Sequence, residues 1–535
     1  MSMNKLKKRF EPYRQTFFLM LILLVNIGFV FAAIHLFPFG YEENDDVIMC
    51  LIASGAYFDA PDAHLVFINF FFGKFLVFLY TLFSDFEWYT FIFVLIHVLS
   101  LTVIVCEIWK SERSKIIKLL YTALLYAIEI RLLLWFQFTT TAALCAFAGF
   151  TLIFQKQTWK LFLGCCLVVI ASLIRFDAAM LVILLTIPFF VCINRFLERK
   201  IKTISFFIGL FFLIFTFKLL DSKIYSKDKE WKAYKEYNIL RSKINDNPDA
   251  KKIEKLPDDI SKEDYLLYQR FFPDPLFFDY QKTECLTNLI DAVSLETKIK
   301  NFLNTFLKYL PQISILFAVI GICFFDCKTK RLKVFLICYS LLFMMLFCYI
   351  SMNSFLKYRV FITMFLPAIS TGFVFYEKTS KKHKKMFIYV ICICISLWSV
   401  ENTIIGIKKH NKMNKIFEQQ QSLFEMTHKK ELTMIPFEGN FKIEYFDAFK
   451  LSKTFNQRLL IQGWLTNIPL NKNRFNSYKQ LLDKNMVLFV TERSRKEIMP
   501  LIQKVLSDRY GVETDIVILE TKDEFSVIQF EKKEF

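Results

Sequence analysis

Long apolar segments recur through the first 405 residues and restrict the possible folds more than any other feature. Hydrophobic residues make up 55% of the 535-residue chain, whereas apolar residues account for roughly 45–50% of soluble globular domains. Many segments reach the about 20 residues that a helix needs to cross a hydrocarbon core of roughly 30 Å. We therefore predict a polytopic α-helical membrane protein.

The net charge of +18 follows from lysine and arginine clusters between the apolar segments. Such clusters are typical of cytoplasmic loops, so they predict topology rather than a nucleic-acid-binding surface. We assign the N-terminus to the cytoplasm and expect the first apolar segment to be retained as an anchor, because it is too long for a cleaved signal peptide. The predicted cytoplasmic clusters lie at 1–14, 110–118, 156–160, 194–202, 328–333 and 378–385.

This charge alternation holds only if the apolar stretch 64–83 lies at the outer membrane interface instead of crossing the membrane. About eleven spans then remain, and they place the C-terminus outside. The predicted spans are 16–37, 89–109, 117–135, 139–155, 161–176, 178–193, 203–219, 308–325, 334–351, 360–377 and 386–405. One exception to the charge rule follows the last span on its outer side, namely Lys408, Lys409, Lys412 and Lys415.

The chain divides into a transmembrane domain, residues 1–405, and an extracytoplasmic domain, residues 406–535. The first domain has an outer loop at 38–88 and a polar outer insertion at 220–300, where "EWKAYKEYNILRSKINDNPD" predicts a helix that ends in a turn. The second domain begins with a predicted helix at 410–428. Four alternating apolar runs and a helix near 494–509 then predict a small α/β fold.

The segment "YEENDDVIMC", residues 41–50, places four carboxylates directly after the first span. We call Glu42, Glu43, Asp45 and Asp46 the acidic cluster. Asn44 or Asp45 could simply cap a short helix, but capping needs one such residue, and adjacent carboxylates raise each other's pKa. A partly buried carboxylate with a raised pKa suits a general base for an acceptor hydroxyl. Asp45 and Asp46 are therefore the candidate catalytic residues.

Cations are predicted at the same membrane face as the acidic cluster. Arg175 and Asp177 interrupt the apolar hairpin "SLIRFDAAML", and Lys357 and Arg359 begin the span after "NSF". Ionisable groups near membrane depth favour a functional role, and arginine suits phosphate because its planar group binds two oxygens. The alternatives are a solvated two-residue turn for the first pair and lipid snorkelling for the second.

Two further polar interruptions remain ambiguous at the sequence level. Glu129 and Arg131, in "AIEIRLLLW", could form a structural pair or face the same outer cavity. The hydroxyl-rich segment "QFTTTAAL", residues 137–144, is expected to cap the helix that it begins.

The pattern resembles the GT-C superfamily of integral membrane glycosyltransferases, which includes protein O-mannosyltransferases and aminoarabinose transferases. These enzymes also have a cytoplasmic N-terminus and an acidic pair in the first outer loop. The stretch after Asp46 is similar to the interfacial motif of O-mannosyltransferases in Tyr57, Phe58, Asp59, Gly73 and Lys74, although the double proline of that motif is missing.

The resemblance implies transfer of a sugar from a polyprenyl phosphate, with inversion, to an envelope glycan, lipid or protein acceptor. The enzyme would lie in the inner membrane of a bacterium. Asp45 or Asp46 would act as the base, and the lipid phosphate would meet cations. The substrate-binding candidates are Arg175, Asp177, Lys357, Arg359, Arg131 and Lys74.

Metal use differs between members of the superfamily. A divalent cation such as Mg²⁺ or Mn²⁺ would be held by Asp45, Asp46 and Glu43. Three other functions stay open at this stage: a polysaccharide polymerase or ligase, a transporter or flippase of lipid-linked intermediates, and a non-catalytic envelope assembly protein.

Overall fold

The computed structural model describes residues 3–58, 60–155, 157–192, 200–247, 250, 255–290, 293–353, 356–375 and 381–533. Asp59 and parts of the predicted cytoplasmic loops 194–202 and 378–385 lie outside these residues.

Helices dominate the first 429 residues, and one lies at each of the eleven predicted spans. Within the described residues, seven helices are long and apolar enough to cross a membrane. The polytopic helical fold is therefore confirmed, whereas the number of spans stays a prediction. The helices are α1 (Met3–Leu36), α2 (Asn44–Ser54), α3 (Phe70–Leu82), α4 (Trp88–Lys110), α5 (Lys115–Leu134), α6 (Phe138–Ile153), α7 (Thr158–Ile174), α8 (Phe176–Cys192), α9 (Lys200–Lys227), α10 (Lys229–Asn245), α11 (Lys262–Gln269), α12 (Tyr280–Asn288), α13 (Leu295–Asp326), α14 (Lys330–Asn353), α15 (Tyr358–Phe375) and α16 (Lys381–Lys429).

The stretch 64–83 contains only the 13-residue helix α3. At 1.5 Å per residue this helix is about 20 Å long, which is shorter than a hydrocarbon core. Asn69 caps α3 by accepting a hydrogen bond from the Phe71 N–H at 3.0 Å. A loop crosses α3 so closely that a Cβ on Gly73 would lie 2.2 Å from the Ala63 carbonyl oxygen. The length of α3 fits the predicted interfacial position.

Helix α16 runs for 49 residues and passes through position 405 without a break. The predicted helix at 410–428 is confirmed, but it is the continuation of the last predicted span. The C-terminal domain is therefore connected to the bundle by a helical stalk and not by a flexible linker.

Lys409 lies on this stalk and accounts for part of the charge exception noted above. Its side chain is buried, and its Nζ donates hydrogen bonds to the carbonyls of Gly40, at 3.1 Å, and Leu134. The ammonium also lies 4.8 Å from the Trp135 ring centroid. This lysine therefore fixes the stalk to the ends of α1 and α5, beside the acidic cluster.

The C-terminal domain contains the predicted four strands. They form one sheet in the order β1-β2-β4-β3, in which β1 and β2 are parallel and the other pairs are antiparallel. The predicted helix near 494–509 is two helices, because the chain bends at Ile498. The elements are β1 (Thr433–Pro436), α17 (Leu451–Thr454), β2 (Met486–Thr491), α18 (Glu492–Glu497), α19 (Met499–Tyr510), β3 (Thr514–Lys522) and β4 (Phe525–Lys532).

The polar insertion packs against the C-terminal domain. Helix α10 confirms the predicted helix in this region and is capped by Asp228, which accepts hydrogen bonds from Glu230 and Trp231. Buried Asp274 accepts hydrogen bonds from Arg509 at 3.2 Å and Tyr510 at 2.6 Å. The two polar regions therefore form one cover over the same end of the bundle.

Lys409→Met tests the attachment of the stalk. We expect the free energy of unfolding to fall by about 1–2 kcal/mol, because the buried carbonyls of Gly40 and Leu134 lose their hydrogen-bond donor. Lys408→Met is the matched control, since Lys408 is exposed. The thermal unfolding midpoint in detergent should fall only for Lys409→Met, and equal midpoints would contradict the assignment.

Candidate functional site

The acidic cluster lies where α2 begins. Glu43 precedes the helix as its N-cap but makes no side-chain capping hydrogen bond, and Asp45 and Asp46 lie in the first turn. Capping by Asn44 or Asp45 is therefore not the reason for the cluster. Neighbouring residues of a helix point about 100° apart, so Asp45 and Asp46 face different surroundings.

Asp46 faces the protein interior and is fully buried. Its Oδ1 accepts hydrogen bonds from the Tyr89 hydroxyl at 3.0 Å and the Phe138 N–H at 3.1 Å. Phe138 is the first residue of α6, and a carboxylate is stabilised at this positive end of a helix. Burial nevertheless raises the pKa of Asp46 well above its ordinary value. Asp46 thus ties α2 to α4 and α6.

Asp45 faces a cavity of about 960 Å³, which we call the site cavity. Four of the predicted substrate-binding residues lie on its wall together with Asp45. The insertion supplies further polar groups. The lining residues are Asp45, Phe67, Phe138, Thr139, Arg175, Asp177, Ala178, Leu181, Asn245, Asp246, Asn247, Ile350, Asn353, Lys357, Arg359, Val360 and Thr363.

The Asp45 carboxylate is held from the C-terminal domain. The indole N–H of Trp464 donates a hydrogen bond to Asp45 Oδ1 at 3.1 Å. Burial and the nearby charge of Glu43 raise the pKa of Asp45, and the charges of Arg359 and Lys357 offset only part of this effect. A carboxylate with a raised pKa beside a cavity is suited to accept a proton from a bound hydroxyl.

Lys357 and Arg359 are largely neutralised by the other half of the acidic cluster. Arg359 Nη1 lies 3.0 Å from a Glu43 carboxylate oxygen and 3.4 Å from one of Glu42, and Lys357 also pairs with Glu43. Burial alone would raise the pKa of Glu43, but the Arg359 charge and the Lys357 hydrogen bond lower it below its ordinary value. Glu42 and Glu43 therefore position these cations at the edge of the cavity.

Arg175, between α7 and α8, carries the least compensated charge of the three cavity cations. It lies 3.6 Å from Asp177, whose side chain is 77% exposed and so is well hydrated. The guanidinium lies 5.9 Å from the Phe67 ring centroid and 5.5 Å from that of Phe138. Val66 has a φ of +66°, which is strained for a β-branched residue, and this turn directs Phe67 towards the cavity.

The other predicted substrate-binding residues lie outside the site cavity. Arg131 is buried and pairs with Glu401 at 3.0 Å, while Glu129 binds His97 at 2.6 Å. These two charges therefore do not pair with each other. Lys74 lies over the Phe70 ring. Helix α6 is capped by the Gln137 side chain, which accepts from the Thr139 N–H at 2.6 Å, rather than by a hydroxyl.

The three candidate metal ligands do not converge. Glu43 pairs with cations, Asp45 binds Trp464, and Asp46 points into the interior. Within the described ranges, no group of three or more His, Cys, Asp and Glu side chains is arranged to hold a metal ion. The residues present therefore do not fit the three-carboxylate metal site.

Some residues that line the cavity or contact Asp45 carried no recognisable signal in the sequence. Trp464 lies 419 positions after Asp45, and Asn245 and Asp246 belong to the polar insertion. Neither segment contains a motif that could have indicated its position in or beside the cavity.

Comparing the stability of Asp46→Ala with that of Asp45→Asn tests whether Asp46 is the structural carboxylate and Asp45 the cavity-facing one. Asp46→Ala should lower the free energy of unfolding by about 2–3 kcal/mol, because buried donors on Tyr89 and Phe138 lose their acceptor. Asp45→Asn should lower it by less than about 1 kcal/mol, because the amide oxygen can still accept the hydrogen bond of Trp464. Thermal unfolding midpoints measure this difference, and equal losses in both variants would contradict it.

Comparisons with known proteins support a similarity of fold. No protein-family model and no curated protein sequence matches the chain. The crystal structure of ArnT from Cupriavidus metallidurans bound to undecaprenyl phosphate matches with a TM-score of 0.51 and 9% sequence identity. The match covers 96% of this chain and 98% of the ArnT chain. The chain therefore has an ArnT-like fold, as the resemblance in the sequence predicted.

Proposed function

We propose that this protein is a membrane glycosyltransferase. It moves a sugar from a polyprenyl phosphate to an envelope glycan, lipid or protein acceptor at the outer face of the inner membrane. The observation that carries the proposal is the single cavity shared by Asp45 and three cations. The fold adds support, since the similar ArnT structure contains undecaprenyl phosphate.

Asp45 acts as the general base in this reaction. The acceptor oxygen forms a bond to the anomeric carbon while its proton passes to Asp45, and the bond from that carbon to the phosphate oxygen breaks. Attack from the side opposite the leaving phosphate inverts the anomeric centre. The raised pKa of Asp45 suits this role, because a base works best when its pKa lies near the working pH.

Arg175 binds the phosphate of the carrier lipid. Its compensation by hydrated Asp177 is weak, so a phosphate gains more at Arg175 than at Lys357 or Arg359, which already have carboxylate partners. Two guanidinium N–H groups stabilise the charge that remains on the leaving phosphate. The aromatic rings of Phe67 and Phe138 keep the guanidinium in place.

The first test measures binding of undecaprenyl phosphate to the purified protein in nanodiscs. Arg175→Gln should weaken binding about 10-fold or more, since a hydrogen bond between charged groups contributes about 1.5–3 kcal/mol. Asp45→Asn should bind at least as well as the parent protein, because it removes a negative charge from the cavity. Arg493→Gln in the C-terminal domain is the matched control, as Arg493 is exposed. Unchanged binding by Arg175→Gln would exclude the proposed phosphate contact.

The second test measures transfer in cells. A strain that lacks the gene is complemented with each variant, and sugar-modified envelope lipids, glycans and proteins are profiled by mass spectrometry. Asp45→Asn should reduce the product at least about 100-fold, the lower range for loss of a general base, at a normal protein level. A normal profile with Asp45→Asn would favour a transporter or an assembly protein, because neither needs a base at this position.

A further inference from the structure

Through one segment, the C-terminal domain contacts two residues that line the site cavity, Asp45 and Phe67. This segment, residues 459–466, lies against the first outer loop, where the Ile461 N–H donates a hydrogen bond to the Tyr57 hydroxyl at 2.8 Å. Gly463 has a φ of +91°, a backbone conformation that favours glycine. This turn places Trp464 beside Asp45, so that a residue of the C-terminal domain contacts a carboxylate at the start of α2.

Trp464 is held by contacts on several sides. The Tyr234 hydroxyl, on helix α10 of the insertion, donates a hydrogen bond to the Trp464 carbonyl at 2.9 Å. The indole meets the Phe67 ring edge-on, with centroids 4.9 Å apart. The indole N–H can only donate, and it is directed at Asp45 Oδ1. The outer loop, the insertion and the C-terminal domain therefore meet at Trp464.

We infer that Trp464 is a positioning residue for Asp45, so that the C-terminal domain completes the active site. The inference rests on the proposed function. The indole fixes the rotation of the carboxylate by binding Oδ1, which leaves Oδ2 to receive the proton of the acceptor. A hydrogen bond to the ionised form also stabilises that form, so Trp464 keeps Asp45 ready to act as a base.

Several other charged or titratable groups act on Asp45, and substitution of Trp464 alone leaves these residues in place. They come from the acidic cluster, the turn before α8, the insertion and α15. These groups are Glu43, Asp46, Arg175, Tyr234, Lys357 and Arg359. A shift in the titration of Asp45 after substitution of Trp464 therefore reports the lost indole hydrogen bond.

The test is the pH dependence of transfer by Trp464→Phe in isolated membranes. The product measured is the one that is missing from the deletion strain and restored by the parent gene. Loss of the hydrogen bond raises the pKa of Asp45, so the acid limb of the profile should move to higher pH by about one unit. At a pH on that limb the rate should fall about 10-fold, while affinity for undecaprenyl phosphate stays unchanged. Trp159→Phe, at an exposed tryptophan, is the control.

A second variant and a second readout keep the test independent of folding defects and of the acceptor. Benzothienylalanine at position 464 keeps the shape of the indole but replaces the N–H by sulfur, and it should shift the profile in the same direction. The infrared carboxyl band that disappears in Asp45→Asn reports the titration of Asp45 directly. Its midpoint should rise by about one pH unit in both variants.

The outcomes distinguish the inference from the proposed function. If Asp45→Asn abolishes transfer and both Trp464 variants keep the parent pH profile and infrared midpoint, the inference is overturned and the proposed function stands. If Asp45→Asn transfers normally, the proposed base is wrong. In that case an upward shift of the infrared midpoint still supports the contact between Trp464 and Asp45, and an unchanged midpoint overturns it.

Discussion

The hydrogen bonds of buried Asp46 determine the arrangement around the cavity. One carboxylate oxygen accepts from Tyr89 on α4 and from the first N–H of α6, so the start of α2 is fixed against two helices of the bundle. Because helix geometry then sets the direction of the preceding side chain, Asp45 is directed at the cavity. The adjacent pair of aspartates thus divides into an anchor and a candidate base.

Charge balance around the cavity follows from the remaining half of the acidic cluster. Glu42 and Glu43 are close to Arg359, and Lys357 also pairs with Glu43, so these two cations are compensated in the absence of a ligand. Arg175 pairs with the exposed carboxylate of Asp177. In the proposed reaction, the donor phosphate would meet one weakly compensated guanidinium and two cations that carboxylates already orient, which would limit the reorganisation that binding requires.

Most of the helical architecture could be predicted because it depends on local properties of the chain. Apolar length predicted the helices of the bundle, the capped pattern predicted α10, and alternation predicted the four strands. The site was predictable in part. Asp45, Arg175, Lys357 and Arg359 were indicated by their cost in an apolar environment, whereas Lys74 and Arg131 share that property and lie elsewhere.

The sequence by itself determined that the chain forms a helical membrane bundle with a small α/β domain, since hydrophobic length and periodicity act locally. It also indicated which few residues bring charge to one end of the bundle. Only the tertiary structure decided that Asp45 faces the cavity and Asp46 the interior. It also decided that Trp464 contacts Asp45. These contacts join residues far apart in the chain, and their geometry depends on how helices and domains pack.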